Sequence, residues 1–174
     1  MARKRLILGG IRSGKSAYAE VLAHAGHLPV CYVATAVIED EEMAQRIQSH
    51  QQRRPNEWLL LETPINLVDV FSQTELAHYC LLVDCLSVWL SNVLCAQPET
   101  IEQQIEHLCR TIESTQQDII LVSSEVGMSL VSTNALGRRY SDFLGKLNQQ
   151  LAQVCDDVIM VVAGLPMVLK GDVT

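Results

Sequence analysis

Gly9-Gly10-Ile11-Arg12-Ser13-Gly14-Lys15-Ser16 has the residue types and spacing of a phosphate cradle, G-x-x-x-x-G-K-[ST]. Glycines let the backbone turn inward, so that several N–H groups point at phosphate oxygens, and a helix N-terminus behind them adds positive potential. Lys15 can reach the β- and γ-phosphates, and the Ser16 hydroxyl is suited to Mg²⁺. A chance glycine-rich turn would lack the right flanks. Here the apolar run Leu6-Ile7-Leu8 precedes the loop as a strand, and the helix former Ala17-Tyr18-Ala19-Glu20-Val21-Leu22-Ala23 follows it. A nucleoside triphosphate site is expected.

A second acid belongs beside such a loop. Cys80-Leu81-Leu82-Val83-Asp84 is an apolar strand ending in a carboxylate, the Walker B pattern, where Asp84 would hold Mg²⁺ together with Ser16. The plainer alternative is that Asp84 caps the helix that follows. Other strand-like runs end in polar residues near the same edge: Val30 to Ala36, Glu62, and Ser123-Ser124-Glu125.

Asp40 to Pro55 is the most unusual stretch. Acids open it and Arg53-Arg54 close it, complementing a helix dipole. Met43, Ile47 and His50 share one face by helical spacing. His50 reads either as a packed histidine or as a nucleophile, with Arg53 and Arg54 neutralising phosphate charge. The residues alone leave both open.

The elements that must position these groups alternate. Strands are expected at Leu6–Leu8, Val30–Ala34, Trp58–Leu61, Cys80–Val83, Ile119–Val122 and Val158–Val162. Helices are expected near 15–25, 40–53, 64–72, 86–115 (broken at Pro98) and 134–155. Continuous apolar strands alternating with helices indicate a mostly parallel sheet covered on both faces, an α/β three-layer domain of the P-loop NTPase type. Ligands then gather at the carboxyl ends of the strands.

Composition bounds the rest. The chain has 174 residues, enough for one well-buried domain spanning 1–174, and 48% of them are hydrophobic. A net charge of −7 argues against a general nucleic-acid binder. Six scattered cysteines form no C-x-x-C pair and most fall inside apolar runs, where a free cysteine behaves as a small hydrophobe, so a zinc cluster is not indicated. The basic start Met1–Arg5 runs at once into the glycine loop, so no secretory leader is expected. The late apolar run Val158 to Leu169 is too short to span a bilayer. A reducing cytoplasm fits best.

Taken together, these segments resemble the bifunctional adenosylcobinamide kinase/adenosylcobinamide-phosphate guanylyltransferases of cobalamin biosynthesis. The resemblance rests on LILGGIRSGKS, on RIQSHQQRRP with Asp40-Glu41-Glu42-Met43 before it, on LLVDCLSVWLSN, and on SSEVGMSLV followed by RRYSDFLGKLNQQLA. It implies phosphorylation of adenosylcobinamide with ATP or GTP. Transfer of GMP from GTP then follows through a GMP-histidine, giving adenosylcobinamide-GDP and pyrophosphate. The matching histidine is His50, with Lys15 as the other catalytic residue. The implied nucleotide contacts are Gly9, Gly10, Ile11, Arg12, Ser13, Gly14, Lys15, Ser16, Ala34, Thr35, Ala36, Gln51, Gln52, Arg53, Arg54, Glu62 and Asp84, with Mg²⁺ on Ser16 and Asp84. A homotrimer is also implied. The chain departs from the family pattern at Met128-Ser129-Leu130, in place of a more glycine-rich turn, and at Val131-Ser132, where Val-Pro is usual.

Rival readings make different demands. A GTPase switch needs an N-K-x-D guanine reader, which is absent, and a D-x-x-G at a strand end; the match at Asp142–Gly145 falls in an expected helix. A small-molecule kinase with a structural His50 would transfer the γ-phosphate without forming a covalent nucleotide. A non-catalytic binding subunit would bind GTP without turnover. For the kinase step, Glu62, Asp84 and Glu125 are all candidate general bases.

Overall fold

The computed structural model describes residues 2–37 and 55–172. The expected helix at 40–53, with His50, Gln51, Gln52, Arg53 and Arg54, lies outside the described residues. In chain order the elements are β1 (Lys4–Gly9), α1 (Lys15–Ala25), β2 (Val30–Ala34), β3 (Leu59–Glu62), α2 (Leu67–Val70), a 3₁₀ turn (Thr74–Leu76), β4 (Cys80–Asp84), α3 (Leu86–Ala96), α4 (Ile101–Ser114), β5 (Ile119–Ser124), α5 (Ala135–Val154), β6 (Asp157–Val162) and β7 (Leu165–Lys170).

The strands form one sheet in the order β3-β2-β4-β5-β1-β6-β7. β1 to β6 pair in parallel, and β7 runs antiparallel to β6. The apolar strands bury alternate residues on opposite faces. Leu6, Val33, Leu81, Leu121 and Met160 face a large core that includes Trp89, Leu90, Ile105 and Leu147. Ile7, Tyr32, Leu82, Ile120 and Ile159 face a smaller one with Ala19 and Ala23 of α1. Two covered faces explain why these strands read as continuous apolar runs.

Most expected elements are present with ends shifted by a residue or two, and the break at Pro98 separates α3 from α4. Two expectations need correction. The helix at 64–72 shrinks to Leu67–Val70 followed by the 3₁₀ turn, because this short connection only has to drop Leu67, Val70 and Leu76 into the core. β7 was not anticipated at all. It forms because Ala163 and Gly164 both take positive φ (52° and 80°), the requirement of a two-residue hairpin turn. Pro166 is tolerated because β7 is an edge strand.

Opposite the carboxyl ends, charge closes the sheet. Asp157, 2% exposed, accepts from Arg3 Nε at 2.6 Å and Nη2 at 2.9 Å, and Arg5 Nε lies 3.5 Å away. Lys170 Nζ donates to the carbonyls of Ala152, Gln153 and Cys155 at 2.6–3.0 Å, satisfying the C-terminus of α5. No described helix is long and apolar enough to cross a membrane.

Candidate nucleotide site

Register aligns the chemistry along one edge. Ala34 pairs with both Glu62 and Asp84, Asp84 with Val122, and Gly9 with Ser124. The expected residues of five strands therefore share the carboxyl end of the sheet.

Gly9 ends β1 and Lys15 opens α1, with the glycine loop between them. Its shape needs its glycines: Gly14 has φ +94°, and a Cβ on Gly9 would collide with Ser13 Oγ and the Val161 carbonyl. The exposed Arg12 also takes positive φ, 57°. Backbone hydrogen bonds pin the loop. Ser13 N donates to Gly10 O (3.2 Å), Glu125 N to Gly9 O (3.0 Å) and Gly164 N to Ser13 O (2.8 Å).

Nothing in this loop offers negative charge. The first turn of α1 carries no acid and its N-cap, Gly14, supplies no side-chain acceptor. The helix N-terminus therefore stands ready for an anion. Ser13 Oγ is buried with no hydrogen-bond partner among the described residues, and Lys15 Nζ folds back onto Gly10 O at 3.2 Å. A phosphate would supply acceptors for both.

Asp84 completes the arrangement. Ser16 Oγ donates to its Oδ1 at 3.2 Å, and Tyr32 OH donates to its Oδ2 at 2.9 Å. Asp84 is not the helix cap: α3 begins at Leu86, its N-cap is Cys85, and that cap makes no side-chain hydrogen bond. A hydroxyl and a carboxylate side by side at a phosphate loop are the hard oxygen donors that Mg²⁺ takes when phosphates and waters complete its shell. Ser16 and Asp84 fit that ion. Among the described residues no cluster of three His, Cys, Asp or Glu is placed to hold a metal.

The remaining candidates divide. Thr35 is fully buried and its hydroxyl is committed to structure: Oγ1 donates to Cys85 O at 2.8 Å and accepts from Cys85 N at 3.0 Å. Asn92 Nδ2 donates to Thr35 O (2.9 Å) and Pro64 O (3.0 Å), tying β2 to the β3 end. Ala34 and Ala36 are half-buried beside Thr35, while Glu62 is exposed. Glu125 turns its carboxylate onto Gly127 N at 2.5 Å.

Tyr32 and Gly164 lie outside the quoted motifs and Asn92 closes one of them, and the contacts of all three appear only in the structure. A tyrosine inside a doubly covered strand must find a polar partner for its hydroxyl, and that was the available signal. Behind the sheet edge, Cys85 Sγ, Ser87 Oγ and Ser124 Oγ follow one another at 3.0 Å steps. Burial, with Asp84 next to it, pushes the Cys85 thiol up, so it stays protonated in this chain of hydroxyls.

Comparison with known proteins agrees with this geometry. Residues 5–169 match the family described as "Cobinamide kinase / cobinamide phosphate guanyltransferase". The chain is similar to the bifunctional adenosylcobalamin biosynthesis protein CobP of Pseudomonas aeruginosa, at 46% identity over 96% of this chain and 97% of that one. It is also similar to the bifunctional adenosylcobalamin biosynthesis protein CobU of Salmonella typhimurium, at 35% identity over 95% and 98%. Among solved structures, an ATPase from a bacterial type III secretion system shares the fold alone, with TM-score 0.57 and 11% identity over 95% of this chain and 56% of that one. The chain belongs to the cobinamide kinase/cobinamide phosphate guanyltransferase family.

Proposed function

We propose that this chain, as one catalytic domain, carries both activities of its family on the nucleotide site described above. It first phosphorylates adenosylcobinamide with ATP or GTP, then guanylylates the product with GTP. The observation that carries this reading is the meeting of Ser16 Oγ and Asp84 Oδ1 at 3.2 Å, directly behind a phosphate loop with an unpaired Ser13 hydroxyl.

In the kinase step, the loop amides and Lys15 hold the β- and γ-phosphates while the substrate hydroxyl attacks the γ-phosphorus and ADP or GDP leaves. Mg²⁺ on Ser16 and Asp84 would supply charge neutralisation at the phosphates. In the second step, neutral His50 attacks the α-phosphorus of GTP and pyrophosphate departs, with Lys15, Arg53 and Arg54 offsetting its charge. A phosphate oxygen of adenosylcobinamide phosphate then attacks that phosphorus and returns the imidazole. Gln51, Gln52, Glu62 and the Ala34–Ala36 turn belong to the same pocket in this reading. The proposed assembly is a cytoplasmic homotrimer.

The test is covalent labelling. Protein, Mg²⁺ and GTP labelled at the α-phosphate are incubated and denatured beside a His50→Ala variant. Acid-labile, alkali-stable label that vanishes in the variant supports the reading. An unlabelled protein that still binds GTP would reduce it to a P-loop kinase or a binding subunit.

A further inference from the structure

Besides Ser16, Asp84 is held by Thr35 and Tyr32, neither of which belongs to the phosphate loop or to the strand that ends in Asp84. Its main chain is fixed by Thr35, whose hydroxyl bonds both the N–H and the carbonyl of the next residue, Cys85. Its side chain is met by Tyr32. Tyr32 pairs with Leu82 across the β2–β4 ladder, and Asp84 lies two residues further along β4 on the same face. That diagonal places a long aromatic side chain within reach of the carboxylate. The ring is 3% exposed, packed in the core beneath α1, so its hydroxyl has little freedom to leave.

The two carboxylate oxygens are thereby made unlike. The phenol donates to Oδ2 at 2.9 Å, and Oδ1 faces Ser16 Oγ at 3.2 Å. The terminal torsion of an aspartate is soft, so a fixed donor on one oxygen biases which of the two faces a neighbouring group. We propose that Tyr32 is a positioning residue for the metal–nucleotide complex: by occupying Oδ2 it aims Oδ1 at the Ser16 hydroxyl, where the Mg²⁺ of the bound triphosphate would sit. Partners that orient a metal-binding carboxylate typically change metal affinity by about 10- to 100-fold when removed. The ring itself contributes packing that phenylalanine would keep.

This inference rests on the reading of Ser16 and Asp84 as the Mg²⁺ ligands. The test compares Tyr32→Phe with the unaltered protein, and uses Asp84→Ala as a control for that reading. Mn²⁺ is titrated into each protein saturated with GTP, and free ion is read by electron paramagnetic resonance. The dependence of γ-phosphate transfer on Mg²⁺ and the thermal midpoint are measured alongside. Mn²⁺ affinity in Tyr32→Phe is expected to fall about 10-fold or more, and half-saturating Mg²⁺ to rise to match. Excess Mg²⁺ is expected to restore most of the rate, with the thermal midpoint little changed. Unaltered metal affinity in Tyr32→Phe, with or without a lower midpoint, would overturn the proposal while leaving the site intact. If Asp84→Ala also bound Mn²⁺ and GTP normally, the assignment of the ligands themselves would fall.

Discussion

The Gly164 amide donates to the Ser13 carbonyl at 2.8 Å, which fastens the turn of the last hairpin to the underside of the phosphate loop. A Cβ built on Gly14 would lie 3.3 Å from Gly164 Cα. Two glycines with positive φ, 150 residues apart, therefore pack against each other, and β7 acts as a brace for the site although it supplies no side chain to it.

Gly14→Ala tests that contact. The substitution meets both the left-handed φ of +94° and the Gly164 backbone. It should cost about 1–2 kcal/mol in strain alone. The expected outcome in calorimetric titration is GTP affinity lowered about tenfold or more, with a smaller loss in thermal midpoint. Unchanged affinity would show that the loop reshapes freely.

Lys15→Ala separates binding and catalysis from folding. The Nζ contact the structure shows is Gly10 O at 3.2 Å, which a phosphate would replace. Loss of a charge aimed at the transferring group should lower γ-phosphate transfer about 100-fold or more. The urea midpoint should move little, because the side chain is only half-buried.

Asp157→Asn should behave in the opposite way. The carboxylate is almost fully buried between Arg3 and Arg5, at the edge of the sheet opposite the glycine loop. Removing its charge leaves two arginines partly desolvated, at a cost of about 2 kcal/mol. Chemical denaturation should show the loss, and GTP affinity measured on the folded protein should not change.

Alkaline stability follows from the thiols. Burial raises Cys31, Cys80 and Cys109 to about 11 and Cys155 to about 12, from an ordinary 9.0. Above about pH 9 the unfolded chain gives up these protons while the folded chain keeps them. The unfolded state then binds fewer protons, and stability falls as pH rises. The urea midpoint should be insensitive to these thiols below about pH 9 and decline from there towards 11 to 12. Cys155→Ala should make that decline shallower.

The core and the phosphate loop were legible because both are written locally. The apolar strands announce a sheet covered on two faces, and strand–glycine loop–helix is contiguous in sequence. Asp84 was legible by position; the structure sets its carboxylate against Ser16 Oγ and gives the N-cap of α3 to Cys85, which supports the proposed magnesium role over the capping one. Tyr32, Thr35 and Asn92 were not legible as positioning groups, since their partners lie 28 to 57 residues away. β7 was hidden for another reason: the apolar run from Val158 to Leu169 reads as one segment unless Ala163-Gly164 is recognised as a turn.

The charged clasp around Asp157 has a topological consequence. Arg3 also donates through Nη2 to the Asp172 carbonyl at 2.5 Å, so residues 3 and 172 are spatial neighbours at the amino edge of the sheet. The glycine loop and Asp84 occupy the opposite edge. A short peptide joining these two points, with the chain reopened beside the exposed Glu99, should yield a circular permutant whose sheet order and phosphate loop are undisturbed. In such a molecule the loop and its bracing hairpin would no longer lie at opposite ends of the polypeptide but adjacent in synthesis, so the brace could form as soon as the loop is made.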